Sequence, residues 1–168
     1  MIHYKDGNLL DADVNYICHQ VNCQGRMGSG IAKQIRERWP IVYENYMAEF
    51  KEIEGKIIQL CGQWENEIDV SDILLGRLQQ VKVNDTQTVI NMFSQQYYGY
   101  DGKRYTSYDA FWDCLNGIKY SIPKGSKIGF PWGIGCGLGG ANWEVIITMI
   151  EEVLRDDFDV YIYILEDK

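Results

Sequence analysis

Residues 21–32 read Val-Asn-Cys-Gln-Gly-Arg-Met-Gly-Ser-Gly-Ile-Ala. A largely apolar run over residues 14–21 leads into this stretch, and a helical pattern over residues 31–38 leads out of it. The sequence therefore predicts a buried strand, a glycine-rich loop and a helix in that order. Glycine lets the backbone approach a ligand because it has no Cβ, and the free N–H groups of a helix start attract anions. We predict an anion-binding turn here.

A second loop repeats this arrangement later in the chain. Residues 133–140 read Gly-Ile-Gly-Cys-Gly-Leu-Gly-Gly, between a predicted strand over residues 127–131 and a predicted helix over residues 142–154. Neither loop has the Gly-Lys-Ser/Thr of a Walker motif, and the first strand–helix turn lacks the dinucleotide fingerprint. Either both loops are tight turns without a ligand, or they hold one ligand with two phosphates or with a phosphate and a ribose. Two such loops in one chain favour the ligand.

Strands alternate with helices along the chain, which indicates an α/β fold in one domain over residues 1–168. Pro40 is expected to stop the first helix, Gly55 to end the second, and Ser107 to cap a later one that runs towards Tyr120. Residues 62–76 carry no clear pattern. The remaining predicted segments are strands over residues 2–5 and 160–165, a helix over residues 42–53, and a hairpin formed by residues 78–83 and 88–93.

Composition narrows the function further. Sixteen basic and twenty-four acidic residues give a net charge of −8, which argues against binding to bulk nucleic acid or to a membrane surface. No apolar run is long enough to span a membrane and the first residues lack a signal-peptide pattern, so we expect a cytoplasmic protein. Five cysteines without a CxxC pair and only two histidines predict neither a metal site nor a disulfide framework. No cofactor is expected.

Three stretches make the chain resemble a known family. Residues 7–10, 19–32 and 130–143 are similar to the macro-domain family, in the branch that contains the yeast-type ADP-ribose-1″-phosphate phosphatase and the glycohydrolases acting on ADP-ribosylated glutamate or DNA. The resemblance implies a three-layer α/β/α fold with a central mixed sheet. It also implies ADP-ribose or ADP-ribose-1″-phosphate as the ligand, held in a cleft across the top of the sheet.

The same resemblance implies which residues bind that ligand. Family members usually carry an aspartate at the position of Asn8, where it accepts a hydrogen bond from the adenine amino group, and asparagine keeps an acceptor oxygen without the charge. The expected ligand-binding residues are Gly7, Asn8, Leu9, Asn22, Gly25, Arg26, Met27, Gly28, Ser29, Gly30, Ile31, Gln95, Pro131, Gly133, Ile134, Gly135, Cys136, Gly137 and Leu138.

Two departures from the family pattern bear on activity. Glycohydrolases of this branch use a lysine where this chain has Gln95, and the glutamate-specific type uses an aspartate where this chain has Gly139. Glutamine cannot form a Schiff base or attack a sugar carbon. The resemblance therefore favours hydrolysis of ADP-ribose-1″-phosphate to ADP-ribose and phosphate. A non-catalytic ADP-ribose-binding module is the alternative, and a DNA or protein ADP-ribosyl glycohydrolase comes third.

The candidate catalytic residues are Asn22, His19 and Gln24, with Asn22 and Gln24 as orienting groups for ribose or water. A lone histidine on a buried strand is more often a core residue than a base. The thiols of Cys23 and Cys136 lie in glycine loops but are expected to act as small packing groups. Residues 97–105 form an aromatic loop that either packs on itself or covers the ligand, and Trp132 is expected to pack into the core with an edge towards the ligand.

Overall fold

The structure is a computed structural model that describes residues 1–61 and 68–166. Within them, six strands form a single mixed sheet, and five α-helices and one 3₁₀ helix surround it. The strands are Ile2–Asp6 (β1), Tyr16–Asn22 (β2), Leu78–Lys82 (β3), Thr88–Gln95 (β4), Lys127–Pro131 (β5) and Asp159–Ile164 (β6). The helices are Gly30–Arg38 (α1), Pro40–Cys61 (α2), Val70–Leu74 (α3), Tyr108–Ser121 (α4) and Trp143–Leu154 (α5), with the 3₁₀ helix at Leu9–Asp11.

The strand order brings the two glycine loops together. The strands lie in the order β1-β6-β5-β2-β4-β3, and all neighbours pair in parallel except β3, which is antiparallel to β4. β2 pairs with β5 on one side and with β4 on the other. Because parallel strands end at the same edge of a sheet, the loops that follow β2, β4 and β5 meet at one place.

Alternation along the strands produces the three layers. Ile17 of β2 points into a core cluster with Ile35 of α1 and Tyr46 of α2. Its neighbour Cys18 points to the opposite face, into a second cluster that includes Phe111 of α4. Successive side chains of a strand face opposite sides of the sheet, so each face is covered by its own set of helices. The three-layer α/β/α prediction is confirmed.

The local signals for the later elements are confirmed. Ser107 Oγ accepts a hydrogen bond from Ala110 N at 3.1 Å, which caps α4 as predicted. Asn142 caps α5 by accepting from Glu144 N at 2.8 Å, so this helix begins one residue later than predicted. The predicted hairpin is the antiparallel pair β3 and β4.

The predicted end of the second helix is wrong. α2 begins at Pro40 and continues through Gly55 to Cys61. Proline fits the first turn of a helix because its missing N–H has no partner there. Glycine in a helix interior costs about 1 kcal/mol, which packing can offset, and Ile53 and Ile57 both pack on the core beneath α2.

The segment left open by the sequence lies only partly in the described residues. Residues 62–67 lie outside them. α3 follows, with a capping box in which Asp69 accepts from Ser71 N and Asp72 accepts from Asp69 N. None of the helices in the described ranges has the length and apolar character needed to cross a bilayer.

Candidate ligand-binding cleft

A cleft of about 760 Å³ lies at the edge of the sheet where β2, β4 and β5 end. Both glycine loops line it, one on each side. Thirteen of the residues expected to bind ligand are in its lining: Asn22, Arg26, Gly28, Ser29, Gly30, Ile31, Gln95, Pro131, Gly133, Ile134, Gly135, Gly137 and Leu138. A volume of this size is typical of a small-molecule site.

Backbone N–H groups from both loops are available to a ligand. Among the described residues, the amides of Gly28, Ser29, Gly137 and Leu138 donate no hydrogen bond within the protein. Ser29 also occupies the N-cap position of α1, and its side chain makes no capping bond. Unused amides on two loops around one cleft, with the N-terminus of α1 at the end of the first loop, are groups that could bind an anion with more than one charged group.

Asn22 is held firmly by its own loop. Its Oδ1 accepts from Gln24 N at 3.0 Å and Arg26 N at 3.4 Å, and its Nδ2 donates to the Arg26 carbonyl at 2.9 Å. The Tyr46 hydroxyl lies 2.8 Å from the Asn22 carbonyl and 2.9 Å from its Oδ1, and accepts from Arg26 N at 3.0 Å. One Nδ2 hydrogen of Asn22 remains for a ligand. Asn22 can therefore orient a ligand through this N–H group. Its side-chain oxygen is engaged by partners within the protein.

A second network joins the floor of the cleft to its walls. Gln20 Nε2 donates to Gln95 Oε1 and to Thr106 Oγ1, both at 2.9 Å, while its Oε1 accepts from Ser94 Oγ at 2.8 Å. Gln95 Nε2 donates to the Tyr97 carbonyl at 2.7 Å. Both glutamine amides are thus engaged in fixing β2 and β4 relative to the loop that follows β4.

Sequence reasoning missed Thr106, Gln20 and Tyr46. Gln20 carries a detectable signal, since it is a polar residue in an apolar strand. Thr106 has no such signal, because its role depends on contacts with residues far away in the chain. Its Oγ1 donates to the Gly135 carbonyl at 2.9 Å and so ties the second glycine loop to this network.

The aromatic loop over residues 97–105 covers part of the cleft. Tyr98 and Tyr100 line it, and Tyr100 is largely exposed. The Tyr98 N–H donates to Gln24 Oε1 at 2.9 Å, which joins this loop to the first glycine loop. At its other end, Tyr105 N donates to the Gly139 carbonyl at 2.8 Å. The loop therefore spans from one glycine loop to the other, and Gln24 serves as its anchor.

His19 lies in the core, and the structure does not bring it to the cleft. It is fully buried, its Nε2 hydrogen-bonds Asn91 Oδ1, and Asn91 Nδ2 donates to Gln79 Oε1 at 2.9 Å. Burial lowers the pKa of His19 to about 4, against the opposing effect of the Asn91 bond, so the ring is neutral near pH 7. The proposed catalytic role of His19 is corrected to a buried structural one.

Six of the expected ligand-binding residues lie outside the cleft lining: Gly7, Asn8, Leu9, Gly25, Met27 and Cys136. Leu9 and Met27 are buried core side chains, and Gly25 packs against the Phe50 ring. Asn8 caps the 3₁₀ helix, with its Oδ1 accepting from Leu10 N at 2.9 Å. These residues lie close in the sequence to residues of the lining, but they do not line the cleft themselves.

The thiols near the cleft are suited to packing. Burial raises the pKa of Cys23 to about 12 and also raises the pKa of Cys136. Both stay protonated at neutral pH and are poor nucleophiles. Arg26 is the single formally charged side chain among the described residues of the lining, so the cleft carries positive charge in a protein of net charge −8.

Trp132 does not pack into the core as predicted. It is 53% exposed and lines the cleft beside the second glycine loop. Its backbone N–H donates to the Tyr163 carbonyl at 2.9 Å. The centroid of its ring lies 5.5 Å from that of the Trp143 ring, and the two ring planes meet at 46°. The indole is held in place without being buried.

Fold and cleft together define a three-layer α/β/α protein with a candidate ligand-binding cleft between two glycine loops. No profile of a known protein family matches the chain. The ADP-ribose 1″-phosphate phosphatase of Saccharomyces cerevisiae is 29% identical over 180 aligned residues, which cover 95% of this chain and 97% of the relative. A DNA ADP-ribosyl glycohydrolase of Thermus aquaticus is 26% identical over 97% of this chain, which spans 41% of that relative.

Solved structures agree with these matches. A protein of unknown function from Bacteroides thetaiotaomicron superposes with a TM-score of 0.77 at 26% identity, over 98% of each chain. The macrodomain of Mycobacterium tuberculosis DarG gives a TM-score of 0.70 at 25% identity, over 97% of each chain. The ADP-ribose complex of Thermosipho africanus DarTG shares the fold, with a TM-score of 0.69 at 18% identity over 96% of this chain and 41% of that one. The chain has the fold of these macrodomains.

Proposed function

We propose that this protein belongs to the macrodomains, binds ADP-ribose or a close derivative in the cleft, and hydrolyses ADP-ribose-1″-phosphate to ADP-ribose and phosphate. One observation carries the proposal: two glycine loops with unused amides face each other across a cleft of about 760 Å³. Two phosphates of one ligand would occupy the space between them. The similarity to the yeast phosphatase over 95% of this chain supports the choice of reaction.

The proposed reaction is hydrolysis of a phosphate monoester by water. A water oxygen would form a bond to phosphorus as the bond from phosphorus to the anomeric oxygen breaks, and the leaving oxygen recovers the proton that water gives up. Arg26 and the free loop amides stabilise the charge that develops on the phosphoryl oxygens. The remaining Nδ2 hydrogen of Asn22 orients the sugar or the water.

A non-catalytic binding module is the second candidate, and a specific observation favours it. Within the described lining of the cleft there is no aspartate, glutamate, histidine or lysine. Without such a side chain, no group with a suitable pKa is positioned to take a proton from water. Binding alone would still use the same loops and amides.

Glycohydrolase activity is the least supported of the three. Gln95 stands in place of a lysine, and its amide is held between Gln20 and the Tyr97 carbonyl. An aspartate at Gly139 would meet Thr106 Oγ1 and the Gly135 carbonyl, the latter at 2.6 Å from an added Cβ. The local packing therefore excludes the acidic residue that this mechanism uses.

The proposal is tested by measuring phosphate release from ADP-ribose-1″-phosphate together with ADP-ribose affinity by calorimetry. We expect wild-type protein to release phosphate and Asn22→Ala to lose at least about tenfold in rate, because Asn22 fixes the first glycine loop. Tyr46→Phe keeps the ring but removes the hydroxyl that holds Asn22, and should give an intermediate loss.

Asn116→Ala is the matched control, since Asn116 lies on α4 and its amide bonds only the Trp112 carbonyl of the same helix. This variant should retain full activity. Binding of ADP-ribose without phosphate release would overturn the phosphatase and leave the binding module. Absence of both would overturn the proposed function.

A further inference from the structure

Resting on that proposed function, we propose that Thr106 is a positioning residue for the ligand. Its hydroxyl holds the second glycine loop, residues 133–140, in the conformation that presents the unused amides of Gly137 and Leu138 to the cleft. Thr106 lies outside the cleft lining and is only 2% exposed, so it acts on a ligand through the loop. The inference deepens the proposed function by naming the group that keeps this loop in place.

The Thr106 hydroxyl joins the loop to the centre of the sheet. Its Oγ1 accepts from Gln20 Nε2 on β2 and donates to the Gly135 carbonyl, both at 2.9 Å. An amide nitrogen can only donate and a carbonyl oxygen can only accept, so the partner between them must do both. A hydroxyl meets this requirement, and an apolar side chain of the same shape does not.

The part of the loop that carries the free amides depends on this bond. The other hydrogen bonds of residues 133–138 stay within the loop or reach Pro131 and Ala141 beside it. Over residues 1–61 and 68–166, the Thr106 hydroxyl supplies the single hydrogen bond between residues 133–138 and a distant part of the chain.

The last residues of the loop are held differently. The Gly139 carbonyl accepts from Tyr105 N at 2.8 Å and from Thr106 N at 2.9 Å. These are backbone bonds, and they remain when the side chain at position 106 is changed. Loss of the hydroxyl should therefore loosen residues 133–138 and leave Gly139 attached.

The direction of the Leu138 amide follows from the conformation of this part of the loop. The Gly137 carbonyl accepts from Gly140 N at 3.1 Å, inside the turn. The C=O and N–H groups of one trans peptide point in opposite directions, so the Leu138 N–H is directed out of the turn. Gly137 and Leu138 both line the cleft. When residues 133–138 move, ligand affinity falls in proportion to the fraction of molecules that keep the binding conformation.

The test measures ADP-ribose affinity by calorimetry in two pairs of proteins that differ in the hydroxyl at position 106. Wild type and Thr106→Val have nearly the same shape, and Thr106→Ser and Thr106→Ala both lack the methyl group. We expect about fivefold to tenfold weaker binding in Thr106→Val and Thr106→Ala, and affinity within about twofold of wild type in Thr106→Ser. Either pair decides the question if a member of the other does not fold.

Thr148→Val is the matched control. The Thr148 hydroxyl also donates to a backbone carbonyl, that of Glu144 at 2.6 Å, but it lies on the exposed side of α5. This variant should bind ADP-ribose as wild type does. In ligand-free protein, NMR order parameters and relaxation dispersion of the Gly137 and Leu138 amides should show added motion in Thr106→Val and Thr106→Ala, and none in Thr106→Ser or Thr148→Val.

The outcomes separate this inference from the proposed function. Unchanged affinity in Thr106→Val and Thr106→Ala, or a loop that stays rigid in both, would overturn the role of the hydroxyl while ADP-ribose binding stood. A loss in Thr106→Ser equal to that in Thr106→Ala would assign the effect to the methyl group, and an equal loss in Thr148→Val would assign it to general destabilisation. Either result would also overturn the inference. Failure of wild type to bind ADP-ribose would overturn the proposed function and the positioning role with it.

Discussion

At the scale of single residues, the cleft depends on positions where a side chain would not fit. Gly135 has a φ of +77°, which glycine adopts at little cost. Gly139 has no such angle, but an added Cβ would meet Thr106 Oγ1 and lie 2.6 Å from the Gly135 carbonyl. The second glycine loop therefore needs glycine for two reasons. Gly135 adopts a positive φ, and at Gly139 neighbouring atoms leave no room for a Cβ.

Gly139→Ala should destabilise the protein by about 1–3 kcal/mol, because backbone and Thr106 must move to admit the methyl group. The matched control is Gly137→Ala, where an added Cβ meets nothing within 4 Å. That variant should change the free energy of unfolding by less than about 0.5 kcal/mol. Urea denaturation measures both, and equal stability of the two variants would contradict the packing argument.

His19 predicts a pH dependence of stability. Burial lowers its folded-state pKa to about 4, below the unfolded value of 6.5, so the unfolded chain binds more protons between these pH values. The free energy of unfolding is therefore unaffected by His19 above about pH 6.5. It declines as the pH falls towards 4, by up to about 1.4 kcal/mol per pH unit.

His19→Gln should flatten this decline, since the amide replaces the Nε2 donor to Asn91 and does not titrate. His3→Gln is the control, because His3 lies on the edge strand β1 and is partly exposed. Denaturant titrations across pH 4 to 7 measure the slope. An unchanged slope in His19→Gln would show that other groups cause it.

At the scale of elements, sequence patterns predicted the helices, strands and turns whose formation depends on residues close in the chain. The Ser107 cap, the β3–β4 hairpin and the strand–loop–helix units are local in origin and were confirmed. The end of α2 was missed because tertiary packing of Ile57 outweighs the helix-breaking tendency of Gly55. In the cleft, the loops could be predicted from their glycines, whereas the Tyr46 clamp and the Thr106 bond join residues distant in sequence.

The aromatic loop over residues 97–105 owes part of its position to one side chain. Gln24→Ala removes the acceptor of the Tyr98 N–H, so hydrogen exchange of that amide should accelerate by about tenfold. Gln24→Glu keeps an oxygen acceptor and should preserve the protection. Exchange followed by NMR distinguishes the two, and protection unaffected in both variants would contradict an anchoring role for Gln24.

At the scale of the whole molecule, the fold places positive charge and unused amides at the proposed ligand cleft. The chain carries a net charge of −8, yet the described lining of the cleft presents Arg26 and unused amides and no carboxylate. The parallel arrangement of β5, β2 and β4 brings together loops that are about a hundred residues apart in the chain. An anionic ligand is thus favoured at this edge of the sheet over the rest of the surface.

The most direct test of the central claim is calorimetric titration of ADP-ribose into wild type, Gly28→Val and Gly55→Val. An added Cβ meets nothing within 4 Å at either glycine, but Gly28 lines the cleft and Gly55 lies on α2 away from it. We predict saturable binding to wild type and to Gly55→Val, and at least about tenfold weaker binding to Gly28→Val, whose side chain occupies the ligand's space. Equal affinity in all three proteins, or no binding to wild type, would contradict an ADP-ribose site between the two glycine loops.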